Sequence, residues 1–452
     1  MKQSKIAVFF LVSVLTVCAS NAQNQVAVKQ WTLEECIRYA ISNNIVIKQK
    51  DLSRESAETD LNTARNSRLP NLNAGTGQNW NFGRTQTRSG LYENSTQSNT
   101  SLSISSSMPL FTGFRIGNEI EKSRFDLMSA VENLESAKEN LALNIASLFL
   151  QALLNRELLK VNEEQLKLTQ TMRERTEILL QSGRVPESQL AEMDAKTAKD
   201  ELSVVQAKNS VALSLLDLAQ SLELENPALF DISIMEIDAI FDSLAIIPPP
   251  DAVFDNAVAL KSVVKEQEYR LESAKRTLGI ARSGLFPTLN LSAGYGTNYF
   301  YMYGKDYTNA SLGNQLKNNG GEYVSLNLNI PIFNRFSVRN QIRNARLNID
   351  NQQLALESVK KTLYREIHTA YLNAVAAMEK YRASSKSVEA ASLSLKYTQE
   401  KYEQGKSTVY EYNEAKTTVT NALSEQIQSK YDYVFRIKIL DFYNGKNFKG
   451  LD

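Results

Sequence analysis

The chain has 452 residues, 42% of them hydrophobic and 22% charged, and a net charge of +1. That near-neutral balance, with no basic run or basic segment, excludes a nucleic-acid-binding surface. Two cysteines, Cys18 and Cys36, exclude a disulfide framework.

Residues 1–22 read as a secretory leader. Lys2 and Lys5 precede an apolar run from Ile6 to Val17, and Ser20, Asn21 and Ala22 form a small-residue cleavage site. Cleavage there removes both lysines, takes the net charge from +1 to near −1 and leaves Cys36 as the one thiol. Bulky Val17 before Cys18 argues for simple cleavage over lipid attachment. No later stretch has the ~18 consecutive apolar residues of a spanning helix, so any entry into a membrane has to be by strands.

Residues 23–226 form a first unit. Thr32 and Glu35 make a capping box at the start of a helix that is expected to run through Ile37, Ile41, Leu52 and Leu61 toward Arg65. After Pro70 the period changes to two. Leu72, Ala74, Thr76, Trp80 and Phe82 alternate with Asn73, Gly75, Gly77, Asn79 and Asn81. A second alternating segment sets Leu102, Ile104, Met108 and Leu110 against Ser101, Ser103, Ser105 and Ser107. Strands are expected at about 70–83 and 99–111, joined by a loop rich in Ser, Thr, Asn and Gly. A helical hairpin over 112–226 follows, turning at Gly183 and stopped by Asn226 and Pro227.

Residues 227–250, ending in Pro248, Pro249 and Pro250, read as a linker with short apolar pieces. Residues 251–452 then repeat the first unit, with strands at about 287–303 and 321–333, a helical hairpin over 334–443 turning at Gly405, and a short tail. Pro331 and Gly405 lie 222 positions after Pro109 and Gly183, so no insertion separates the two copies between Pro and Gly. Within each long helix an apolar residue recurs every seven positions: Ile120, Leu127, Leu134, Leu141 and Leu148, then Ile342, Ile349, Leu356 and Leu363. A seven-residue period is the seam of coiled-coil packing.

The strand pattern suits a transmembrane β-barrel, apolar toward lipid and polar toward water. A soluble sandwich with one wet face is the competing fold, but faces of Ser, Asn and Gly line water more often than they cover a core. Trp80, Phe82, Tyr299 and Tyr301 fall at one end of the strands, Phe111 and Phe333 at the other, as interfacial girdles require. Four strands cannot close a barrel, and lipid does not tolerate open edges. Copies must therefore assemble, with eight strands from a dimer or twelve from a trimer, and a wide duct favours the trimer.

The Trp31-Thr-Leu-Glu-Glu opening, the strand entries around Pro70 and Pro287, the Pro-Leu/Ile-Phe exits and the two Gly-centred hairpins, all in duplicated order, resemble the TolC family of outer-membrane efflux proteins. The resemblance covers essentially the whole mature chain. It implies a mainly helical membrane protein: a homotrimer with a twelve-strand outer-membrane barrel, four strands per protomer, continued by a long helical barrel across the periplasm. It implies a passive exit duct for efflux or type I secretion, docked through its tips (Gly183, Arg184, Val185, Gly405, Lys406 and Ser407) onto a periplasmic adaptor, which links it to an inner-membrane pump of RND or ABC type. It also implies a periplasmic gate, with Tyr402 at the gate tyrosine and Glu411 and Glu414 at acidic ring positions. Gln189 replaces the acid that partners the tyrosine, Glu192 matches Glu414, and Ser407 stands where the family carries a gate arginine. A ring of Glu around a narrow axis favours cations; the plainer reading of Glu411 and Glu414 is a solvated helix face.

No catalytic set, cofactor loop or metal site is expected, and His368, the one histidine, reads as helix packing. The rival from another class is a secreted coiled-coil adhesin or envelope spacer without transport, which the strand alternation opposes.

Overall fold

The computed structural model describes residues 30–86, 90–234, 237, 241, 247–304 and 308–446. The expected leader with Cys18, part of the linker and the last six residues lie outside them. Strand β1 (Gln30–Trp31) leads into helix α1 (Leu33–Asn43), whose N-terminus carries the expected box: Glu35 N–H donates to Thr32 Oγ1 and Thr32 N–H to Glu35 Oε2. The helix does not run unbroken to Arg65. Asn44 leaves helical geometry, and its side chain accepts from the N–H groups of Val46 and Ile47 to cap a separate α2 (Ile45–Asn66). An Asn offers the backbone this local alternative to helix, and here it is taken.

Strands β2 (Asn71–Asn81) and β5 (Thr96–Phe111) pair antiparallel, and the loop between them holds a small hairpin, β3 (Arg84–Gln86) with β4 (Tyr92–Asn94). Helix α3 (Arg115–Gln181) then runs 67 residues, about 100 Å at about 1.5 Å per residue, and α4 (Glu187–Ser221) returns over 35. The return stops at Ser221, four residues before the expected Glu225, because Glu223 adopts a left-handed φ of 58°. Strand β6 (Asp231–Ile232) pairs parallel with β1, a closure of linker onto N-terminus that no sequence pattern announced.

Helices α5 (Pro250–Leu260) and α6 (Ser262–Ser283) lead to β7 (Thr288–Tyr303), the short α7 (Leu312–Asn318), β8 (Gly321–Asn329), α8 (Ser337–Glu403) and α9 (Val409–Tyr443). The last two again measure 67 and 35 residues. The long strands form one antiparallel sheet in the order β2-β5-β7-β8, so β2 and β8 are its edges. Strand β8 stops at Asn329, short of the expected 333. It is the edge strand, and Pro331 has no N–H for a ladder.

The seven-residue series lies on the packed side of the rods. Leu134, Leu356 and Leu363 are buried and the remaining members half-buried. Two apolar cores sit part-way along, one around Cys36, Ile145, Phe149, Leu218 and Ile232, the other around Val253, Ile367, Ala374 and Ile437. His368 stacks on Tyr364 at 4.1 Å and faces Asp251 of α5. No helix among the described residues is long and apolar enough to cross a membrane.

Candidate channel entrance and strand lumen

The two hairpin tips share one geometry. Gly183 and Gly405 have φ of +70° and +71°, where a Cβ is strained. The N–H groups of Gly183 and Arg184 close onto the carbonyls of Leu180 and Leu179, and those of Gly405 and Lys406 onto Tyr402 and Lys401. This is the Schellman pattern, and it satisfies carbonyls that a helix end would leave open. Gly183, Arg184, Gly405 and Lys406 are exposed, while Val185 and Ser407 are half-buried.

Beneath the tips, Tyr402 stacks on Tyr412 at 5.4 Å and packs against a small core of Met172, Met193, Val409 and Tyr412. Gln189 and Tyr402 are not brought into a hydrogen bond in the single chain. Burial pushes the Tyr412 phenol up, and its hydroxyl has no partner among the described residues. Glu192, Glu411 and Glu414 are exposed. Glu411, however, is not a free surface charge. Its Oε2 accepts from Ser407 Oγ at 2.6 Å and from Thr408 N–H at 2.9 Å, while Glu411 N–H donates to Thr408 Oγ1. These bonds, Ser407's first, hold the carboxyl below its usual range. Thr408 and Glu411 form the same four-residue capping signature as Thr32 and Glu35, so this role was legible in the sequence and missed.

The hairpins are joined by a buried polar network that sequence reasoning also missed. Lys416 of α9, 2% exposed, donates to Thr169 Oγ1 at 2.7 Å and to the Gln165 carbonyl of α3. Thr169 Oγ1 donates to Asp200 Oδ2 of α4 at 2.5 Å, and Asp200 also faces Lys196 at 3.3 Å. Lys196 reaches Thr417, and Thr420 donates to Gln165 Oε1. Burial lowers the Lys416 pKa to about 8, against the opposing pull of Asp200. Nearer the tip Arg175 faces Glu403 across the hairpins at 3.6 Å.

In the sheet, cross-strand register sorts the faces. Asn73, Ser105, Gly294 and Tyr323 lie in one row and Gly75, Ser103, Gly296 and Gly321 in the next, on the polar face. Tyr323 is therefore an aromatic on the Gly/Ser/Asn side, and its ring lies so close over Gly294 that a Cβ there would meet it at 2.7 Å. On the other face Leu72, Val324, Leu326 and Leu328 are exposed, Val324 by 78%. Of the expected girdle residues, Trp80, Phe82, Tyr301, Phe111 and Phe333 are exposed and Tyr299 is half-buried. Strand β7 outruns β8, and loop amides complete its edge: Gln315 bonds both N–H and C=O of Phe300, Asn309 those of Met302, and Asn319 the carbonyl of Asn298.

A family model described as outer membrane efflux protein matches the chain twice, over residues 36–223 and 253–440. The chain belongs to the outer membrane efflux protein family. Among curated relatives, outer membrane protein TolC of Escherichia coli K12 is 22% identical over 417 residues, covering 89% of this chain and 80% of TolC. TolC of Salmonella enteritidis is 25% identical over 190 residues, 40% of this chain and 38% of that one. Among solved structures, the CmeC outer membrane channel of Campylobacter jejuni superposes with a TM-score of 0.75 at 17% identity, covering 91% of this chain and 85% of CmeC. The open-state MtrE outer membrane channel of Neisseria gonorrhoeae gives 0.72 at 19%, covering 92% and 89%. At these identities the structures speak for the fold, and the family for the role. This efflux-family chain is an outer-membrane efflux channel protein of a Gram-negative cell that extends into the periplasm.

Proposed function

We propose that three copies close one twelve-strand barrel and one helical barrel, forming a passive exit duct that a periplasmic adaptor couples to an inner-membrane pump. The observation that carries this is the sheet itself: four strands with two unpaired edges, β2 and β8, and an exposed apolar face. Such a sheet is intolerable in lipid until its edges are closed. The exposed tips around Gly183 and Gly405 are the docking surface, and Tyr402, Gln189, Glu192, Glu411 and Glu414 belong to the periplasmic entrance. Glu414 supplies a free carboxylate to that ring, whereas Glu411 supplies a charge already tied to a helix N-terminus.

Planar-bilayer recording of the purified protein tests the duct. Cation-selective conductance is expected, and the preference for cations should fall when Glu411 and Glu414 are changed to Gln. A protein that runs as a stable, water-soluble monomer and never conducts would sink the reading.

A further inference from the structure

Helix α8 begins with an unusual run of charge. Arg339, Arg343 and Arg346 recur at spacings of four and three, so they share one flank of the helix, and Arg335 precedes it with a left-handed φ of 54°. All four are exposed, and no described acid lies within ion-pair distance of any of them, including Asp350 one turn below Arg346. Other helical arginines are neutralised several times over: Arg54 meets Asp51, Glu55 and Glu58, and Arg173 meets Glu177 and Asp194. Like charges at these spacings repel, so the flank lacks a counter-charge that the chain does not provide.

The same residues line a groove. Arg339, Arg343 and Arg346, with Phe336, Ile342 and Leu285, surround an open space of about 970 Å³. Its upper end is apolar and continuous with the strand exit, where Ile332 is 94% exposed and Phe333 and Phe336 form an exposed edge-to-face pair at 5.5 Å. If that aromatic end marks the edge of the hydrocarbon, Arg339 and Arg343 lie about 5 and 10 Å beyond it along the helix. The first depth falls within the headgroup layer of one leaflet, about 5–8 Å thick, and the stems of Arg343 and of Arg346, about 15 Å along, reach back toward it.

The flank also faces the right way. Tyr364 lies three seven-residue periods beyond Arg343 and packs on Phe254 of α5 at 5.2 Å. A helix laid inside the lumen would block a duct, so the side of α8 that carries α5 is the outer one. The opposite flank, bordering the space beside Arg115, presents Gln341, Asn344 and Asn348, uncharged amides suited to a water-filled interior.

We propose that Arg339, Arg343 and Arg346 bind the phosphate of an anionic phospholipid in the periplasmic leaflet, whose acyl chains lie against Phe333, Phe336 and Leu285. This rests on the barrel standing in the membrane as described above. Guanidinium groups pair phosphate oxygens bidentately, and each basic side chain near a lipid surface adds to the attraction. The competing occupant is the acidic stretch of α2 on a neighbouring copy, but within the chain Arg54 already holds three of those carboxylates.

The test is native mass spectrometry of the full-length protein in uncharged detergent, titrated with phosphatidylglycerol or phosphatidylethanolamine. Planar-bilayer conductance is recorded for each sample. Wild type is expected to retain phosphatidylglycerol about tenfold or more over phosphatidylethanolamine, with added salt weakening the preference. The Arg339→Gln/Arg343→Gln/Arg346→Gln variant should bind the two lipids alike and still conduct. Arg343→Gln alone, which alters one exposed side chain and spares the fold, should lose part of the preference. Equal retention of both lipids by wild type overturns the site, as does an unchanged preference in the triple variant. Displacement of the lipid by millimolar inorganic phosphate would assign the groove to free phosphate instead. Dissociation of the variant's assembly in lipid-free detergent would assign it to the neighbouring copy. Conductance in wild type without lipid preference leaves the duct standing and removes only the site.

Discussion

At Glu411 the capping role competes with the proposed ring role. As a ring carboxylate it would face the axis, but its Oε2 is engaged by Ser407 and by the Thr408 amide at the start of α9. A carboxylate at a helix N-terminus is favoured by the macrodipole and by the open N–H groups there. Thr408→Ala removes the reciprocal half of the cap and is expected to destabilise the first turn of α9 by about 1 kcal/mol. Hydrogen exchange of amides 409–412 checks it, and unchanged protection would deny the cap any weight. Because the Glu411 carboxyl is held below its unfolded value, its contribution is present at neutral pH. It is lost as the pH falls through its folded pKa. Protection at the tip should therefore fade in acid before the rods loosen.

Between elements, the Lys416 network is the one buried polar tie among α3, α4 and α9 that we find beneath the tips among the described residues. Any opening that moves α9 away from the first hairpin must break it, which leaves Asp200 and Thr169 to find water. Lys416→Met keeps the stem but strips Thr169 and the Gln165 carbonyl of their donor, while Asp200 keeps Lys196 and Thr169. Losing the buried Lys416 donor to Thr169 Oγ1 and the Gln165 carbonyl costs about 1–3 kcal/mol. The variant is expected to hold the hairpins apart more often, read as higher conductance and faster exchange in α9. A pH dependence follows as well. Lys416 titrates at about 8 in the folded chain, below its unfolded value, so the unfolded or separated state binds more protons above that pH. Cohesion of the hairpins should rise as the pH climbs from about 8 toward ~10.5 and be weakest below 8. Conductance that rises over that range would contradict the assignment.

At the scale of the molecule, the sheet divides its neighbours by a pleat. Leu326 pairs with Leu291 on the apolar face, and Asn327 pairs with Asn290 on the polar one. Leu326→Arg is expected to cost about 2–4 kcal/mol if it sits near the bilayer midplane, and to remove assembled protein from the outer membrane. Asn327→Arg, one residue on, should assemble normally and lower cation conductance. Heat-resistant oligomer on gels and single-channel current separate the two outcomes. Equal behaviour of both variants would mean the faces are assigned wrongly. Tyr323 belongs to the same comparison. Its ring covers Gly294 on the polar face, so Tyr323→Ala should widen the passage and raise conductance without loss of assembly.

The periodicities decided most of this architecture before any tertiary contact was known. Alternation around Leu102 and Val324 specifies half-buried strands, the sevens from Ile120 and Ile342 specify packed rods, and Gly183 and Gly405 specify where those rods turn. These signals are local, because side-chain direction repeats every two residues in a strand and nearly every seven along a coiled-coil face. What the chain could not announce is what depends on partners far away in sequence. The break at Asn44, the β1–β6 pairing, the amides of Asn309 and Gln315 that finish the edge of β7, and Lys416 buried against Thr169 and Asp200 all arise where distant polar groups meet. A lysine looks solvated until three helices close over it. Only packing takes water away, and only then must each buried donor find its acceptor.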